Sequence, residues 1–302
     1  MGRFRSPESQ ARHAVGQKLA IGRPSHGQDN KDGRIHSLGS ARTYEDSLKG
    51  VAAYIAEQRI DTGGKGLASL TPEIALNYLE VRSEHVGQKQ LDKDRQAIQV
   101  LLGCKLPVLK SEFEQAVESR AYTRQQIELI AGAQSKGHSL ATRIAANAGL
   151  RAHELLTLLP HDARAASAHR TWTEERFEGR GEFQRFTVTG KGGLTREVAI
   201  DSDLVSILET VRLSEPRQVD DRKIYYMQHY EMGGGKRWSD SFSKASLREL
   251  GWSSGAHGVR HTYAQERMRA LQSLGYQYVD ALSIVSQEMG HFRPEITEVY
   301  LR

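Results

Sequence analysis

Apolar residues recur at intervals of three and four along much of the chain, which is the spacing that places them on one face of an α-helix. The first such stripe consists of Tyr44, Leu48, Val51, Ala52 and Ile55. A second helix is predicted to begin at Thr71-Pro72, because threonine caps a helix and proline fits its first turn. A third begins near Lys89 and ends at Gly103, which tolerates the left-handed turn after a helix. The pattern predicts a small all-α domain over residues 40–115.

The second half of the chain combines helical spacing with a stretch of period two. Thr123 and Gln126 form a capping-box pair, which marks the start of a helix. Between residues 183 and 200 the apolar positions alternate on either side of the sequence GKGG, which predicts a β-hairpin with Lys191 at its tip. We expect residues 170–177 to add a third strand.

The remaining third of the chain is predicted to be mostly helical. We expect a helix over residues 201–213 and an exposed connection over 214–236 around a short strand or helix at 224–227. Ser239 is the expected cap of a helix that reaches Leu250. The last segment, 256–302, has helical spacing on both sides of Pro294, where a proline suits the first turn of a new helix.

Composition is that of an ordinary globular protein, with 302 residues, 38% apolar and 26% charged. This length suits two domains, for which residues 104–109 are the expected linker. A single cysteine, Cys104, excludes an internal disulfide and fits a reducing compartment. No apolar run has the length of a membrane helix, and the N-terminus lacks the apolar segment of a signal peptide. We therefore expect a cytoplasmic protein that has no membrane partner.

The net charge of +5 is compatible with a nucleic-acid partner but does not identify one. Residues 1–39 are locally basic, with seven Lys or Arg against three Asp or Glu, and they show little apolar periodicity. Two interpretations of this flexible arm remain open, a frayed solvated tail and an arm that contacts DNA.

Four sequence motifs occur in the order GLRAHEL, TGKGG, HGVRHTYA and MGHFRPEITEVYL. In this order they resemble the catalytic motifs of the tyrosine recombinase (phage integrase) family. The resemblance covers about residues 123–302 and implies an α+β, mainly α-helical fold. A small all-α core DNA-binding domain at 40–115 would precede a catalytic domain at 121–302 that contains a small antiparallel β-sheet.

The resemblance assigns the chemistry of DNA cleavage to four residues. It makes Tyr300 the nucleophile that becomes linked to the 3′ phosphate, and it makes Arg151 and Arg260 a clamp on the non-bridging oxygens. It makes Lys191 the donor of a proton to the departing 5′ oxygen. Arginine suits the clamp because its planar fork binds two oxygens and stays charged. Taken alone, Arg151 and its neighbour Glu154 are also compatible with a surface ion pair.

The same resemblance adds His257 and His291 to the catalytic residues and gives supporting roles to Glu154 and His261. His257 would assist proton transfer from the tyrosine, and His291 would support the phosphate. Glu154 stands where the family often has an acidic residue that braces the first arginine, and His261 would pack against or orient Arg260. His257 and His261 are also spaced like two metal ligands, but glycine follows His257 where a zinc protease has glutamate. We therefore expect neither a metal nor a cofactor.

The function implied by the resemblance is site-specific recombination through a 3′-phosphotyrosine intermediate and a Holliday junction, for integration or excision of a mobile element. The implied partners are double-stranded DNA and a tetramer assembled on it, with room for an accessory directionality factor, and the DNA-bound protein would be associated with the nucleoid. A type IB topoisomerase or a catalytically idle DNA-binding regulator on the same scaffold is the alternative.

Three features depart from the family pattern. Arg260 and His291 are 31 residues apart, which suggests an enlarged loop between them, and the polar stretch 160–181 is long. Many relatives continue with a further helix that docks on a neighbouring subunit, whereas the sequence ends two residues after Tyr300. The usual mode of cyclic assembly is therefore not predicted from this sequence.

Overall fold

A computed structural model describes residues 6–22, 33–112, 119–190 and 193–302. The chain divides into two compact units, Met1–Ala116 and Val117–Arg302, which we call the N-terminal and C-terminal units. The expected linker at residues 104–109 is wrong, because Leu106 is buried in the core of the N-terminal unit. Its backbone amide also donates to the side chain of Gln99, 2.8 Å away.

The helices predicted for the N-terminal unit are confirmed as α2 (Leu38–Glu57), α3 (Pro72–Ser83) and α4 (Gln88–Leu102). The Thr71 hydroxyl accepts a hydrogen bond from the first turn of α3, and Gly103 ends α4 in the left-handed conformation. Their apolar faces form one core, whose most buried members include Leu48, Val51, Ala75, Leu79, Leu91, Ala97 and Ile98.

The expectation of a flexible arm over residues 1–39 is wrong for α1 (Pro7–Gln17). Ala11, Ala14 and Val15 pack into the core of the N-terminal unit at a helical spacing of three and four. The sequence pattern did not predict this helix, because two of its three buried residues are alanines, whose small side chains are only weakly apolar. Residues 1–5 and 23–32 of the expected arm lie outside the described part of the chain.

The C-terminal unit begins with α5 (Arg124–Gly132) and α6 (Lys136–Ala148), which pack with α8 (Gly235–Leu250). The predicted capping box at the start of α5 is present in full. Helix α8 reaches Leu250 as predicted, but its N-cap is Gly234 and not Ser239. The core that these helices share contains Ile127, Ile130, Ile144, Trp238 and Phe242 among its most buried side chains.

The predicted hairpin is confirmed as β2 (Phe183–Thr189) and β3 (Thr195–Asp201), paired antiparallel. The outer partner of β2 is β1 (Leu159–Pro160). The expected strand at residues 170–177 is wrong, since this segment forms turns and Phe177 adopts a φ of 72°. Its backbone is held in that conformation because the Phe177 amide donates to a buried carboxylate 2.8 Å away.

The segment beyond β3 contains more regular structure than its sequence predicts. Helix α7 (Ser202–Glu209) is shorter than expected. The short element expected at residues 224–227 is confirmed as part of β5 (Ile224–Tyr230), and β4 (Arg212–Asp221) pairs with it where we expected an exposed connection. The polar residues of β4 hide the pairing, because most of that strand is exposed and shows no apolar alternation.

The chain closes with α9 (Gly258–Ser273), α10 (Tyr278–Glu288) and α11 (Pro294–Glu298), so the predicted helix start at Pro294 is confirmed. The fold class is confirmed as mainly α-helical with small antiparallel sheets. Over the ranges that the structure describes, we find no helix with both the length and the apolar character that crossing a membrane requires.

The packing of α1 predicts that the N-terminal unit depends on it. Ala11→Asp should lower the free energy of unfolding by about 3 kcal/mol or more, because it buries an unpaired charge. Ser9→Asp is the matched control, because Ser9 is exposed in the first turn of the same helix, where a negative charge is tolerated. The free energy of unfolding of both variants is measured by urea titration. Equal values for Ala11→Asp and Ser9→Asp would contradict the assignment of α1 to the core.

Candidate active site

The turn after α6 positions Arg151. Gly149 ends α6 with a φ of 61°, and a β-carbon there would lie 2.6 Å from the ring of Tyr263. Glycine is therefore required both by the backbone conformation and by the close approach of the ring. The Arg151 side chain leaves this turn with a quarter of its surface exposed, and its Nη1 donates to Oε1 of Glu154 at 2.7 Å.

Glu154 is fully buried and binds several donors. Its Oε2 accepts from the Arg151 amide at 2.8 Å and from Nη2 of Arg196 at 2.8 Å, and it lies 3.9 Å from Nη1 of Arg260. Burial by itself would raise the pKa of Glu154, but the three guanidinium groups hold it well below its ordinary value. The carboxylate is thus ionised, and the alternative of a surface ion pair is excluded.

Arg260 lies in the first turn of α9 and has no exposed surface. It donates to the carbonyl oxygen of Gly149, to that of Met289 at 3.1 Å, and approaches Nε2 of His291 at 3.3 Å. Burial, and then the charge of Arg151, lower the pKa of Arg260 to about 10, so the group remains charged at neutral pH. Its Nε has no hydrogen-bond partner among the described residues.

Tyr300 lies over this arginine, surrounded by imidazole rings. The Tyr300 hydroxyl is 3.0 Å from Nε2 of His257, and the ring centroids of His261 and His291 are 4.8 and 5.3 Å from that of Tyr300. The guanidinium carbon of Arg260 is 5.5 Å from the centre of the phenol ring. A phenolic oxygen, a base and a fixed cation are therefore neighbours.

His291 follows α10 and is held from both sides. Its backbone carbonyl accepts from the Ser286 hydroxyl at 2.6 Å, and its Nδ1 is 3.0 Å from the hydroxyl of Thr297. Burial, followed by the charge of Arg260, lowers the pKa of His291 to about 3. The imidazole is therefore neutral near pH 7.

The other two histidines share this neutral state. Partial desolvation and the charge of Arg260 lower the pKa of His257, although the residue as a whole is exposed. The pKa of His261 is lowered to about 4 by burial, then by Arg120 and Arg260. A neutral His257 beside a phenol can accept its proton, whereas an imidazolium could not.

The structure brings together seven of the residues singled out from the sequence, namely Arg151, Glu154, His257, Arg260, His261, His291 and Tyr300. Lys191 lies outside the described residues. The hairpin that carries it does reach the cluster, because a β-carbon at Gly190 would lie 3.2 Å from Oε1 of Glu154. Over the described ranges, no group of three or more His, Cys, Asp or Glu side chains could hold a metal ion.

Sequence reasoning missed Arg196, which is almost fully buried beside Glu154. The signal was present, since Arg196 shares the alternation of Val198 and Ile200 along β3 and therefore points to their buried face. An arginine on the inner face of a strand needs a buried anionic partner.

Several solved structures match nearly the whole chain, among them the following three. The XerH site-specific recombinase bound to palindromic difH substrate, in a post-cleavage complex, matches with a TM-score of 0.57 and 13% identity over 100% of this chain and 94% of that one. The pre-cleavage complex of XerH with difH gives a TM-score of 0.53, 14% identity and the same shares. The Tn1549 transposon integrase in complex with transposon right end DNA gives 0.52 and 13% over 99% and 95%.

This chain has the tyrosine recombinase fold. Comparison of its sequence with protein-family models and with curated proteins finds no match. At 13–14% identity the structural likeness establishes the shared fold. The chemistry of a recombinase-fold protein has to be argued from the geometry of its own site.

The neutral, buried His291 predicts how stability depends on pH. The unfolded chain takes up a proton on this side chain near pH 6.5, whereas the folded protein does so only near pH 3. The contribution of the neutral His291 side chain to the free energy of unfolding is intact above pH 6.5 and is lost as the pH falls towards 3. His291→Gln should therefore make the fall in unfolding free energy between pH 6.5 and 5 shallower by roughly 1 kcal/mol per pH unit. The free energy of unfolding is measured by urea titration at several pH values for both proteins. The same dependence on pH in the wild type and in His291→Gln would contradict the burial of a neutral imidazole.

Proposed function

We propose that this chain is a site-specific DNA recombinase that cuts and rejoins DNA through a covalent bond between Tyr300 and a 3′ phosphate. The observation that carries the proposal is that His257 and Arg260 both meet Tyr300 on a tyrosine recombinase fold. Nε2 of His257 lies 3.0 Å from the Tyr300 hydroxyl, and the guanidinium carbon of Arg260 lies 5.5 Å from the centre of its ring. The XerH and Tn1549 proteins were both solved with DNA bound, which supports DNA as the substrate.

The first chemical step is attack by the Tyr300 oxygen on the scissile phosphorus. A phenol with a pKa of about 10 is ionised in about one molecule in a thousand at pH 7, so the attack needs a base. His257 accepts the proton as the oxygen–phosphorus bond forms. The bond from phosphorus to the 5′ oxygen breaks, and Lys191 supplies the proton that the departing oxygen takes. Reversal by a 5′ hydroxyl from another strand rejoins the DNA.

The two arginines supply fixed positive charge to the phosphate during this attack. Arg151 keeps exposed surface, so it can meet the phosphate first. Arg260 has none, because the Tyr300 ring and the chain around it cover the guanidinium. Tyr300 must therefore shift from this resting position before both arginines bind the same phosphate. Positive charge that is fixed in advance needs no reorganisation as the transition state forms.

The larger assembly follows from the chemistry of exchange. Recombination of two duplexes involves four strand cleavages, so we propose a tetramer on DNA, a Holliday-junction intermediate and a role in moving a mobile element, where an accessory directionality factor would act. We infer that such a protein works in the cytoplasm, on the nucleoid. Binding should weaken steeply with salt, because most contacts go to phosphates.

Trapping the covalent adduct tests the nucleophile. The probe is a pool of duplexes of randomised sequence, each nicked so that the short strand released by cleavage diffuses away and prevents rejoining. The wild-type protein should give a DNA adduct that survives denaturation, and Tyr300→Phe should give none because it lacks the attacking oxygen. Tyr225→Phe, which alters a mostly exposed tyrosine, is the control and should behave as wild type. An adduct that persists in Tyr300→Phe would exclude Tyr300 as the nucleophile.

The same trap tests the arginines, with the duplex recovered from the wild-type adduct. Arg151→Ala and Arg260→Ala should each lower the single-turnover cleavage rate by about 10²–10³-fold, or about 3–4 kcal/mol of barrier, by analogy with the loss of one oxyanion donor. The rates are compared at saturating DNA, so that weaker binding does not contribute. Rates within a few-fold of wild type would contradict the role of the clamp.

The two alternatives predict other outcomes of the same experiments. A type IB topoisomerase would form the Tyr300 adduct and relax supercoiled plasmid, but would not exchange strands between two duplexes. A catalytically idle regulator would bind DNA and form no adduct. Exchange between two labelled duplexes by the wild-type protein separates recombination from both.

A further inference from the structure

We infer that Arg196 is a positioning residue for DNA cleavage, which holds both arginines of the clamp in place without touching the DNA. This inference rests on the proposed function of the site. Arg196 lies in β3 with 1% of its surface exposed, and it is among the largest fully buried side chains of the described residues. The Tyr300 ring covers Arg260, so a shift of Tyr300 exposes that guanidinium. Nη1 and Nη2 of Arg196, by contrast, donate to oxygens of Glu288 and Glu154. The effect of Arg196 therefore passes through these neighbours.

The first neighbour is the carboxylate between the clamp arginines. Nη2 of Arg196 donates to Oε2 of Glu154 at 2.8 Å, and the same oxygen accepts from the Arg151 amide at 2.8 Å. With Oε2 fixed in this way, Oε1 is aimed at Nη1 of Arg151, 2.7 Å away. Arg196 thereby sets the plane of the carboxylate, and the plane of the carboxylate sets the direction of Arg151.

The second neighbour is the end of α10. Nη1 of Arg196 donates to the carbonyl oxygen of Glu288 at 2.7 Å. The next carbonyl, that of Met289, accepts from Arg260 at 3.1 Å, and His291 follows two residues later. One guanidinium therefore connects the segment that orients Arg151 with the segment that binds Arg260 and carries His291.

Gly290, which directly precedes His291, fits this arrangement. Gly290 has a φ of 74°, and a β-carbon there would lie 2.7 Å from Cδ and 2.9 Å from Nε of Arg196. The arginine stem thus fills the space in which any other residue would place its side chain. The chain can pass from α10 to His291 beside Arg196 because residue 290 has none.

The charge balance explains why an arginine is needed at this position. Arg151, Arg196 and Arg260 all lie within 4 Å of Glu154, at 2.7, 2.8 and 3.9 Å. An apolar residue in place of Arg196 would leave the buried carboxylate one donor short, and Glu154 would then compete for the donors of the two clamp arginines. Those donors would turn away from the phosphate.

The test separates a misplaced clamp from a protein that is merely less stable. The probe is the nicked duplex recovered in the trapping experiment, synthesised with either a phosphate or an uncharged methylphosphonate at the scissile position. A neutral scissile group needs little cationic stabilisation, so misplaced arginines should matter far less on it. Arg260→Ala sets the reference pattern, which is a large loss on the phosphate and a small loss on the methylphosphonate.

Arg196→Met should follow that pattern. Its single-turnover rate at saturating DNA should fall roughly 100-fold on the phosphate, the loss expected from a misplacement of about 1 Å, and at least several-fold less on the methylphosphonate. Arg180→Met is the matched control, since Arg180 is a mostly buried guanidinium whose partners are Asp201, Asn147 and Ala199. Any loss in Arg180→Met should be equal on the two duplexes, because a smaller folded fraction affects both alike.

Arg196→Lys keeps a positive charge beside Glu154 but cannot make both contacts, so it carries the same test if the methionine variant does not fold. An equal loss on both duplexes, or no loss on the phosphate, in the folded Arg196 variants overturns the inference. A wild-type protein that forms no Tyr300-dependent adduct with the phosphate duplex overturns the proposed function instead, so the two failures are distinguishable.

Discussion

The site is organised around the ionised carboxylate of Glu154, buried among three guanidinium groups. Removing a carboxylate from water is costly, and only close, well-directed positive charge offsets that cost. Here Arg151, Arg196 and Arg260 supply it. Since one negative charge faces three positive ones, the cluster keeps a net positive charge in a largely buried site. An anionic substrate group is the natural complement of such a cluster.

The fold produces this cluster by bringing four chain segments to one place. The turn after α6 supplies Arg151 and Glu154, β3 supplies Arg196, the start of α9 supplies Arg260, and the end of α10 leads into His291. Two of these segments contain a glycine with a positive φ that passes very close to a neighbouring side chain. These are Gly149, beside Tyr263, and Gly290, beside Arg196. The glycines are therefore part of the site, although they carry no chemistry.

How much of this could be read from the sequence depended on how local each signal was. Helices with clean caps, such as α3 after Thr71 and α5 with its capping box, were predicted because caps and apolar stripes act within a few residues. Helix α1 was missed because alanines give a weak stripe. The pairing of β4 with β5 was missed because an exposed polar strand shows no alternation. Arg196 was missed because its partners lie 42 and 92 residues away.

By itself the sequence determined which reactive groups the protein has, their order along the chain, and the glycines and caps that set local turns. Only the tertiary structure decided that Glu154 and Arg260 are buried, that His291 is neutral, and that Tyr300 covers the arginine with which it would share a phosphate. The physical reason is that spacing along a chain defines which face a residue occupies. Desolvation and charge pairing depend on segments more than a hundred residues apart, and they exist only once those segments have packed together.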